Sequence, residues 1–274
     1  EYDVVIPSDY MIARMIEEDM LEPLNFDNIP NASDIDPELL NPAYDPENQY
    51  SVPYMWGLLG VIYNKTMVDE ADLGSWDLMW NEKYADDILM FDNSRDAIGI
   101  GLKMLGYSYN TTDEAQIKEA VDLLIEQKPL VQAYVMDEVF GKMEGGNAAV
   151  GTYYYGDYLT MVENNPDLGF YIPEEGTNVY VDAMCILKGA KNKENAEAFI
   201  NYMCSTEAGL KNCEEIWYST PLMSVREELD PEVSGDVYAY PDETVMAKCE
   251  SYAGLPQNIL DLYDSEWTRL KSAT

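Results

Sequence analysis

Short apolar segments rich in β-branched and aromatic residues alternate along this chain with longer segments whose apolar residues recur at helical spacing. Residues 88–91 form one such short run, and a helix is predicted over 95–105, with Ser94 as its cap and Gly106 as its end. The order recurs downstream, with a predicted strand at 180–187 and a predicted helix at 192–204. Regular alternation of this kind predicts an α/β fold, in which helices cover both faces of a sheet.

The remaining segments fit the same class. Residues 2–7 predict a strand that leads into a helix containing Met11 and Met15. Thr111 and Glu114 have the spacing of a capping box before a helix at 115–127, and a last helix is predicted at 260–271. Residues 25–49 are polar and rich in proline and asparagine, which indicates an irregular connector. A length of 274 residues allows one large α/β unit or two lobes with separate cores.

The charge balance narrows the classes of partner. The chain has 52 acidic and 16 basic residues, a formal net charge of −36. A nucleic-acid-binding surface needs the opposite sign, so that class is excluded. The acidic field either concentrates cations near the protein or serves solubility alone.

No apolar run approaches the ~20 residues of a membrane-spanning helix. The chain opens on Glu1 followed by a strand pattern, so we expect the start of a longer precursor to be missing.

The inventory of reactive side chains is narrow. Histidine is absent, which removes the usual general base and the usual activator of a nucleophile. The four cysteines, Cys185, Cys204, Cys213 and Cys249, are not spaced as zinc ligands, and spacing does not tell whether they pair. We expect no metal, no cofactor and no enzymatic activity, although these residues alone leave a hydrolase built on glutamate and aspartate possible.

Several segments together resemble the polyamine-binding members of the periplasmic binding protein superfamily. They run in family order from the start of the chain to its last helix: YDVVIPSDY (2–10), YSVPYMWG (50–57), SWDLMW (75–80), LGYS and NTTD (105–108 and 110–113), YVDA (180–183), AKNKE (190–194) and YSTP (218–221). Each piece alone is a weak signal, whereas the ordered set is a strong one.

This resemblance implies a two-lobed periplasmic-binding-protein-like α/β fold with putrescine or spermidine clamped between the lobes. The lobes would be 1–59 with 181–226, and 60–180 with 227–274. The implied partner is an ABC transporter permease, and the implied location is the periplasmic or extracellular face of the membrane. Because the family begins with a strand and helix that precede residue 1, the first lobe is expected to be incomplete, with self-association over the exposed surface.

In the first lobe the resemblance assigns Asp182 to the ligand. A single acid in an otherwise apolar strand is either paired or functional, or it lies at a strand end that faces water. Tyr180, two residues earlier, would supply a stacking face. Tyr10 and Tyr218 match aromatic pocket positions, and Ser8 matches a hydroxyl position or caps the helix that follows it.

In the second lobe the resemblance assigns Asp96 to one ammonium group, although an acid in a first helical turn also suits the helix dipole. Asn93 stands where binders of longer polyamines carry aspartate, which favours a diamine over a triamine. Tyr154 would be a further aromatic wall unless it packs in the core. Asp157 is either a ligand residue or a helix cap.

Three other functions use the same residues. The adjacent tyrosines Tyr154 and Tyr155 could supply phenolates to ferric ion, as in other members of the superfamily. A sugar-binding protein shares the aromatic stacking but usually adds basic or amide side chains. A glycosidase needs two carboxylates on facing elements, which Asp96 and Asp182 could mimic.

Overall fold

The computed structural model describes residues 2–273, which fold as two compact units. Unit 1 contains the residues up to Gly57, together with Val179–Pro241 and Ser251–Gly254. Unit 2 contains Leu58–Asn178, Asp242–Glu250 and the residues from Leu255 onward. Each unit is therefore built from discontinuous stretches of chain. Residues 227–241, expected from the sequence in the second lobe, belong to unit 1.

Strands and helices alternate as predicted. The strands of the described residues are β1 (Val4–Val5), β2 (Leu21–Glu22), β3 (Ser51–Asn64), β4 (Ile88–Phe91), β5 (Val131–Val135), β6 (Val150–Tyr154), β7 (Leu168–Tyr171) and β8 (Val179–Leu187). The α-helices are α1 (Asp9–Glu17), α2 (Ser94–Met104), α3 (Glu114–Gln127), α4 (Glu138–Glu144), α5 (Tyr155–Asn164), α6 (Lys193–Met203), α7 (Thr206–Ile216), α8 (Met223–Glu228), α9 (Pro231–Ser234), α10 (Glu243–Met246) and α11 (Gln257–Ser272).

Short 3₁₀ turns occupy much of the connecting chain, and three of them lie in the predicted irregular connector at 25–49. They are Phe26–Asn28, Pro30–Asp34, Pro37–Leu39, Glu70–Asp72, Trp76–Trp80, Glu82–Tyr84 and Lys128–Leu130.

In unit 1 the strand β8 pairs with β1 and β2, both antiparallel. The core lies between these strands, the first half of β3 and the helices α6, α7 and α8. It is formed by apolar residues that are almost fully buried: Val52, Met55, Met184, Ile186, Ala196, Ile200, Leu222 and Val225. Since β3 and β8 are apolar along most of their length, both have the composition of strands covered on two faces.

In unit 2 the strand β4 pairs in parallel with β5 on one side and with β6 on the other. The second half of β3 pairs antiparallel with β6 and β7. Helices α2, α3 and α11 pack together. The carboxyl ends of β4, β5 and β6 consequently meet at one edge of the sheet.

Three helix starts differ from those predicted. Asn93, not Ser94, is the N-cap of α2, and its side chain accepts from the backbone N–H groups of Arg95 and Asp96. Asp113 caps α3 through the Ala115 N–H, so the predicted capping box is wrong, because Glu114 is the first helical residue. Ser8 stands at the N-cap of α1, but its hydroxyl makes no bond to the helix.

The helices and the cysteines can be compared with what the sequence predicts. Within residues 2–273 no helix is long and apolar enough to cross a membrane. All four cysteines are unpaired thiols, and Cys185, Cys204 and Cys213 are buried.

The turn before β3 depends on one buried carboxylate. Asp45 is 2% exposed and accepts hydrogen bonds from the backbone N–H groups of Gln49, Tyr50 and Ser51 and from the Ser51 hydroxyl. We expect Asp45→Ala to lower the free energy of unfolding by about 2–4 kcal/mol, because three backbone N–H groups and the Ser51 hydroxyl lose a buried charged acceptor. Urea unfolding measures this loss. The exposed Asp27→Ala is the control and should change stability little; equal stability of the two variants would contradict the assignment.

Candidate functional site

The carboxylate of Asp182 lies half-buried in β8 of unit 1. The Ser8 hydroxyl donates to Asp182 Oδ1 at 2.9 Å, and the two residues also form an antiparallel β-bridge. Next to this bridge the Ala183 N–H donates to the Pro7 carbonyl at 3.1 Å. The segment before α1 is therefore fixed against β8, and this explains why the Ser8 hydroxyl serves Asp182 and not the helix.

Burial raises the pKa of the Asp182 carboxyl, and the Ser8 hydrogen bond lowers it in part. Among residues 2–273 no lysine or arginine forms an ion pair with this carboxylate. A partly desolvated carboxylate without a cationic partner is a costly arrangement for a folded protein. It can hold a cation from outside the chain.

Tyr180 lies two residues before Asp182 on β8, so the two side chains leave the same face of the strand. Tyr180, buried on the same strand, meets Tyr218 edge to face, with ring centroids 5.3 Å apart. Tyr218 follows Trp217, the C-cap of α7, whose left-handed conformation (φ 64°) is uncommon for a bulky residue. The structure thus joins Ser8 to Asp182 and Tyr180 to Tyr218 in unit 1, and β8 carries one residue of each pair.

The position of Tyr180 depends on Gly57 of β3. A Cβ atom at residue 57 would lie 2.8 Å from the Tyr180 Cζ atom, closer than non-bonded carbons approach. The absence of a side chain at Gly57 therefore leaves the space that the Tyr180 phenol occupies.

Tyr10 lies on the surface of unit 1 at the start of α1. Its ring is 40% exposed and meets Tyr252 edge to face at 6.3 Å. The buried Asp9 carboxylate joins the two residues, since it accepts from the Tyr10 N–H at 2.7 Å and from the Tyr252 N–H at 3.3 Å. The backbone hydrogen bond to Asp9 and the ring contact with Tyr252 thus fix Tyr10, whose aromatic ring stays partly exposed.

In unit 2, Asp96 and Tyr154 meet at the edge where the parallel strands β4 and β6 end. Asp96 is the third residue of α2 and is 4% exposed, and the half-buried Tyr154 is the last residue of β6. The Tyr154 hydroxyl lies 3.5 Å from Asp96 Oδ2. Phe91, at the end of β4, packs on the Tyr154 ring with centroids 5.7 Å apart.

Asn93 and Asp157 lie at the starts of helices α2 and α5, at the same edge. The Asn93 side-chain oxygen accepts from the Arg95 N–H at 2.9 Å and from the Asp96 N–H at 3.4 Å, so that oxygen caps the helix carrying Asp96. Asp157 is the third residue of α5, as Asp96 is of α2. Helix N-termini favour negative charge, so both carboxylates suit their places.

Sequence reasoning missed five residues next to these positions: Gly57, Tyr54, Tyr252, Tyr153 and Asp137. Burial, with a contribution from the Asp182 charge, raises the pKa of Tyr54, which places Tyr54 near that carboxylate. The Tyr153 hydroxyl donates to Asp137 Oδ1 at 3.0 Å. Asp137 comes two residues after β5, and Tyr153 is the last but one residue of β6, with β4 between the two strands. A reading of the parallel pairing could have found this pair. The contacts of Gly57 and Tyr252 are long-range and leave no local signal.

Tyr154 and Tyr155, the adjacent tyrosines that suggested ferric binding, pack against different aromatic residues. Tyr154 packs on Phe91 and Tyr153, whereas Tyr155 packs on Tyr158 and Phe170 with centroids 5.7 and 4.9 Å away. Their phenols are therefore not assembled as a pair. No group of three carboxylates or thiols suited to a metal ion occurs in the described part of the chain.

A surface groove of about 380 Å³ in unit 1 lies apart from these residues. Phe26, Ile29 and Leu40 contribute to its apolar lining, and none of the nine predicted ligand residues is in that lining.

A family model described as bacterial extracellular solute-binding protein matches residues 2–248. The spermidine/putrescine-binding periplasmic protein of Salmonella typhimurium is 33% identical over 249 residues, which cover 91% of this chain and 72% of that protein. The protein of the same name from Escherichia coli is 32% identical over 273 residues, covering 99% of this chain and 78% of the other.

A solved structure of a substrate-binding protein is also similar to this chain. The spermidine/putrescine ABC transporter substrate-binding protein PotD of Streptococcus pneumoniae superposes with a TM-score of 0.90 at 41% identity. The match covers 98% of this chain and 83% of that one. The predicted two-lobed α/β fold class is thereby confirmed.

The raised pKa of Asp182 predicts a pH-dependent effect of Asp182→Asn on the unliganded protein. Because the folded-state pKa lies above the unfolded value of about 3.9, ionisation of this carboxyl opposes folding at high pH and has no effect at pH values below both. We therefore expect the asparagine variant to be at least as stable as the parent at pH 7, with the difference shrinking toward pH 3. Thermal unfolding across this range measures it. A variant that loses stability at pH 7 and not at pH 3 would contradict the shift.

Gly57→Ala should displace Tyr180 and destabilise unit 1 by about 1–3 kcal/mol, because the new methyl group overlaps the phenol ring. Near-ultraviolet circular dichroism and denaturant unfolding report the two effects. Gly141→Ala is a matched control, since nothing lies within 4 Å of a Cβ at that position in α4, and there we expect a small stabilisation. A Gly57 variant that behaves like the Gly141 variant would show that Tyr180 does not need this space.

Proposed function

This chain belongs to the bacterial extracellular solute-binding proteins, and from that premise we propose that it captures a polyamine, putrescine or spermidine. It acts as a binding protein on the extracytoplasmic side of the membrane and not as an enzyme. We further propose that it delivers its ligand to an ABC permease, since its relatives are substrate-binding proteins of such transporters.

The chemistry of a protonated polyamine sets two requirements. Each ammonium group needs a carboxylate or several acceptors when it leaves water. Each methylene linker needs flat apolar walls, and aromatic faces serve both the linker and the cation. Both kinds of group occur together in each unit of this protein.

The observation that carries the proposal is the Asp182 carboxylate. It is half-buried, its pKa is raised by desolvation, and Ser8 is its side-chain hydrogen-bond donor. No cation within residues 2–273 neutralises it, so an ammonium group of the ligand would supply the missing charge. Tyr180, on the same face of β8, and its ring neighbour Tyr218, with centroids 5.3 Å apart, would supply the aromatic faces for the methylene linker.

Unit 2 supports the same ligand class. Asp96 supplies a carboxylate at a helix N-terminus, with the aromatic rings of Tyr154 and Phe91 beside it. We propose Asp157 and Tyr10 as more peripheral ligand residues. Asn93 contributes no charge and its oxygen is used by the helix cap, so the diamine should bind at least as well as the triamine.

Putrescine and spermidine should raise the melting temperature, whereas maltose, neutral amino acids and sulfate should not. A ligand that binds only the folded state stabilises it by about 2.7 kcal/mol at a hundredfold excess over Kd. The shift should persist at ~0.5 M NaCl, because a desolvated ion pair is screened less than the general acidic surface. A shift that disappears with salt, or one caused by maltose and not by putrescine, would overturn the ligand assignment.

Asp182→Asn should weaken putrescine binding by about 2–5 kcal/mol, because the ammonium group loses its charge partner in a partly desolvated site. Isothermal titration calorimetry measures the loss. Asp27→Asn is the matched control, since it removes one exposed charge from the same unit and leaves the site unchanged. Equal affinities for the two variants would remove Asp182 from the site.

A further inference from the structure

We propose that Tyr153 is a positioning residue for the polyamine site: anchored by Asp137, it holds the ring of Tyr154 where the Tyr154 hydroxyl can reach Asp96. The inference rests on the proposed function, since it concerns the ligand residues of unit 2. Neither Tyr153 nor Asp137 is itself required to touch the ligand.

Tyr153 is held from three sides. It is 5% exposed, stacks on Phe91 at 5.4 Å and meets Phe140 edge to face at 5.9 Å. Its hydroxyl donates to the exposed Asp137 carboxylate at 3.0 Å. Ring contacts restrict the plane of an aromatic side chain, and a hydrogen bond at its tip fixes the remaining freedom.

The parallel order of strands makes this anchor available. Asp137 follows β5, Phe91 ends β4, and Tyr153 lies next to the end of β6, with β4 between the other two strands. The Tyr153 side chain therefore extends from β6 across Phe91 to the residue after β5. Three adjacent strands are tied together by one side chain at the edge where Asp96 lies.

Tyr154 depends on this arrangement. Its ring centroid is 5.0 Å from that of Tyr153, closer than the 5.7 Å that separates it from Phe91. Its hydroxyl is 3.5 Å from Asp96 Oδ2, longer than the usual 2.5–3.0 Å of an O–H···O hydrogen bond. A contact at this limit is sensitive to small shifts of the ring, so whatever fixes the ring controls the contact.

The Tyr153 hydroxyl remains a donor over the physiological range. Burial, together with the hydrogen bond to Asp137, raises the pKa of Tyr153. Asparagine at position 137 would still accept this hydrogen bond, whereas alanine would not. The anchor can thus be removed without changing Tyr153, or its charge can be removed while the bond is kept.

The experiment measures putrescine affinity by calorimetry for Tyr153→Phe, Asp137→Ala and Asp137→Asn. We expect the first two to weaken binding about threefold to tenfold, the range of one hydrogen bond, and the third to change it less than twofold. Tyr171→Phe is the control, because it also removes a tyrosine hydroxyl bond in unit 2, to the Ser75 carbonyl at 2.8 Å, without a ring contact to Tyr154. Parent-like affinity of Tyr153→Phe, or an equal loss in Tyr171→Phe, would overturn the proposal.

A double-mutant cycle separates positioning from a general loss of stability. In a Tyr154→Phe background, Tyr153→Phe should cause no further loss of affinity, because the hydroxyl that it positions is already gone. The same loss in both backgrounds would show that Tyr153 acts elsewhere.

A readout without ligand keeps this inference distinct from the proposed function. With 3-fluorotyrosine at position 154, the ¹⁹F resonance of the unliganded protein should shift in Tyr153→Phe and Asp137→Ala, and not in Asp137→Asn or Tyr171→Phe. If the parent binds no polyamine, the proposed function fails while this resonance still tests the positioning. An unchanged resonance in Tyr153→Phe would overturn the positioning whatever the ligand.

Discussion

The candidate site of unit 1 depends on one carboxylate, Asp182, within the apolar strand β8. Asp182 is partly desolvated because its neighbours on β8 are buried, and burial by itself favours the neutral form of its carboxyl group. The protein responds by bringing the Ser8 hydroxyl to one oxygen and leaving the other without a cation from the described chain. The resulting site has an uncompensated charge that a small organic cation can neutralise, at the expense of stability in the unliganded state.

In unit 2 the buried and partly buried carboxylates of the candidate site lie at the starts of helices, where the backbone N–H groups offset the cost of desolvating them. Asp96 and Asp157 are each the third residue of a helix, and both helices begin where parallel strands end. Backbone N–H groups at these helix starts favour negative charge, and the Asn93 side chain caps the helix that carries Asp96. The rings of Phe91 and Tyr154 pack together at the strand ends, which gives the Asp96 carboxylate an aromatic neighbour suited to methylene groups.

The local pattern of the sequence was sufficient for most elements and insufficient for their ends. The strand at Ile88–Phe91 and the helices near 193–203 and 257–272 are where apolar periodicity places them. Asn93, Ser94 and Asp113 show the limit, since each is a good capping residue and only backbone geometry selects which one caps. Helix α7 was not predicted, although its apolar residues recur at helical spacing. Helix α8 was not predicted because its six residues are too few to show a period.

The sequence by itself was enough to propose the acids and tyrosines of the candidate site and to predict the α/β class, because these follow from composition and short-range spacing. The resemblance to polyamine-binding proteins rests on the same information. Only the tertiary structure decided that Ser8 bonds to Asp182 across 174 positions of sequence, that Gly57 leaves space for Tyr180, and that Tyr153 reaches Asp137. These contacts join segments that meet only when strands pair. Strand pairing is set by the packing of whole units and not by any local run of residues.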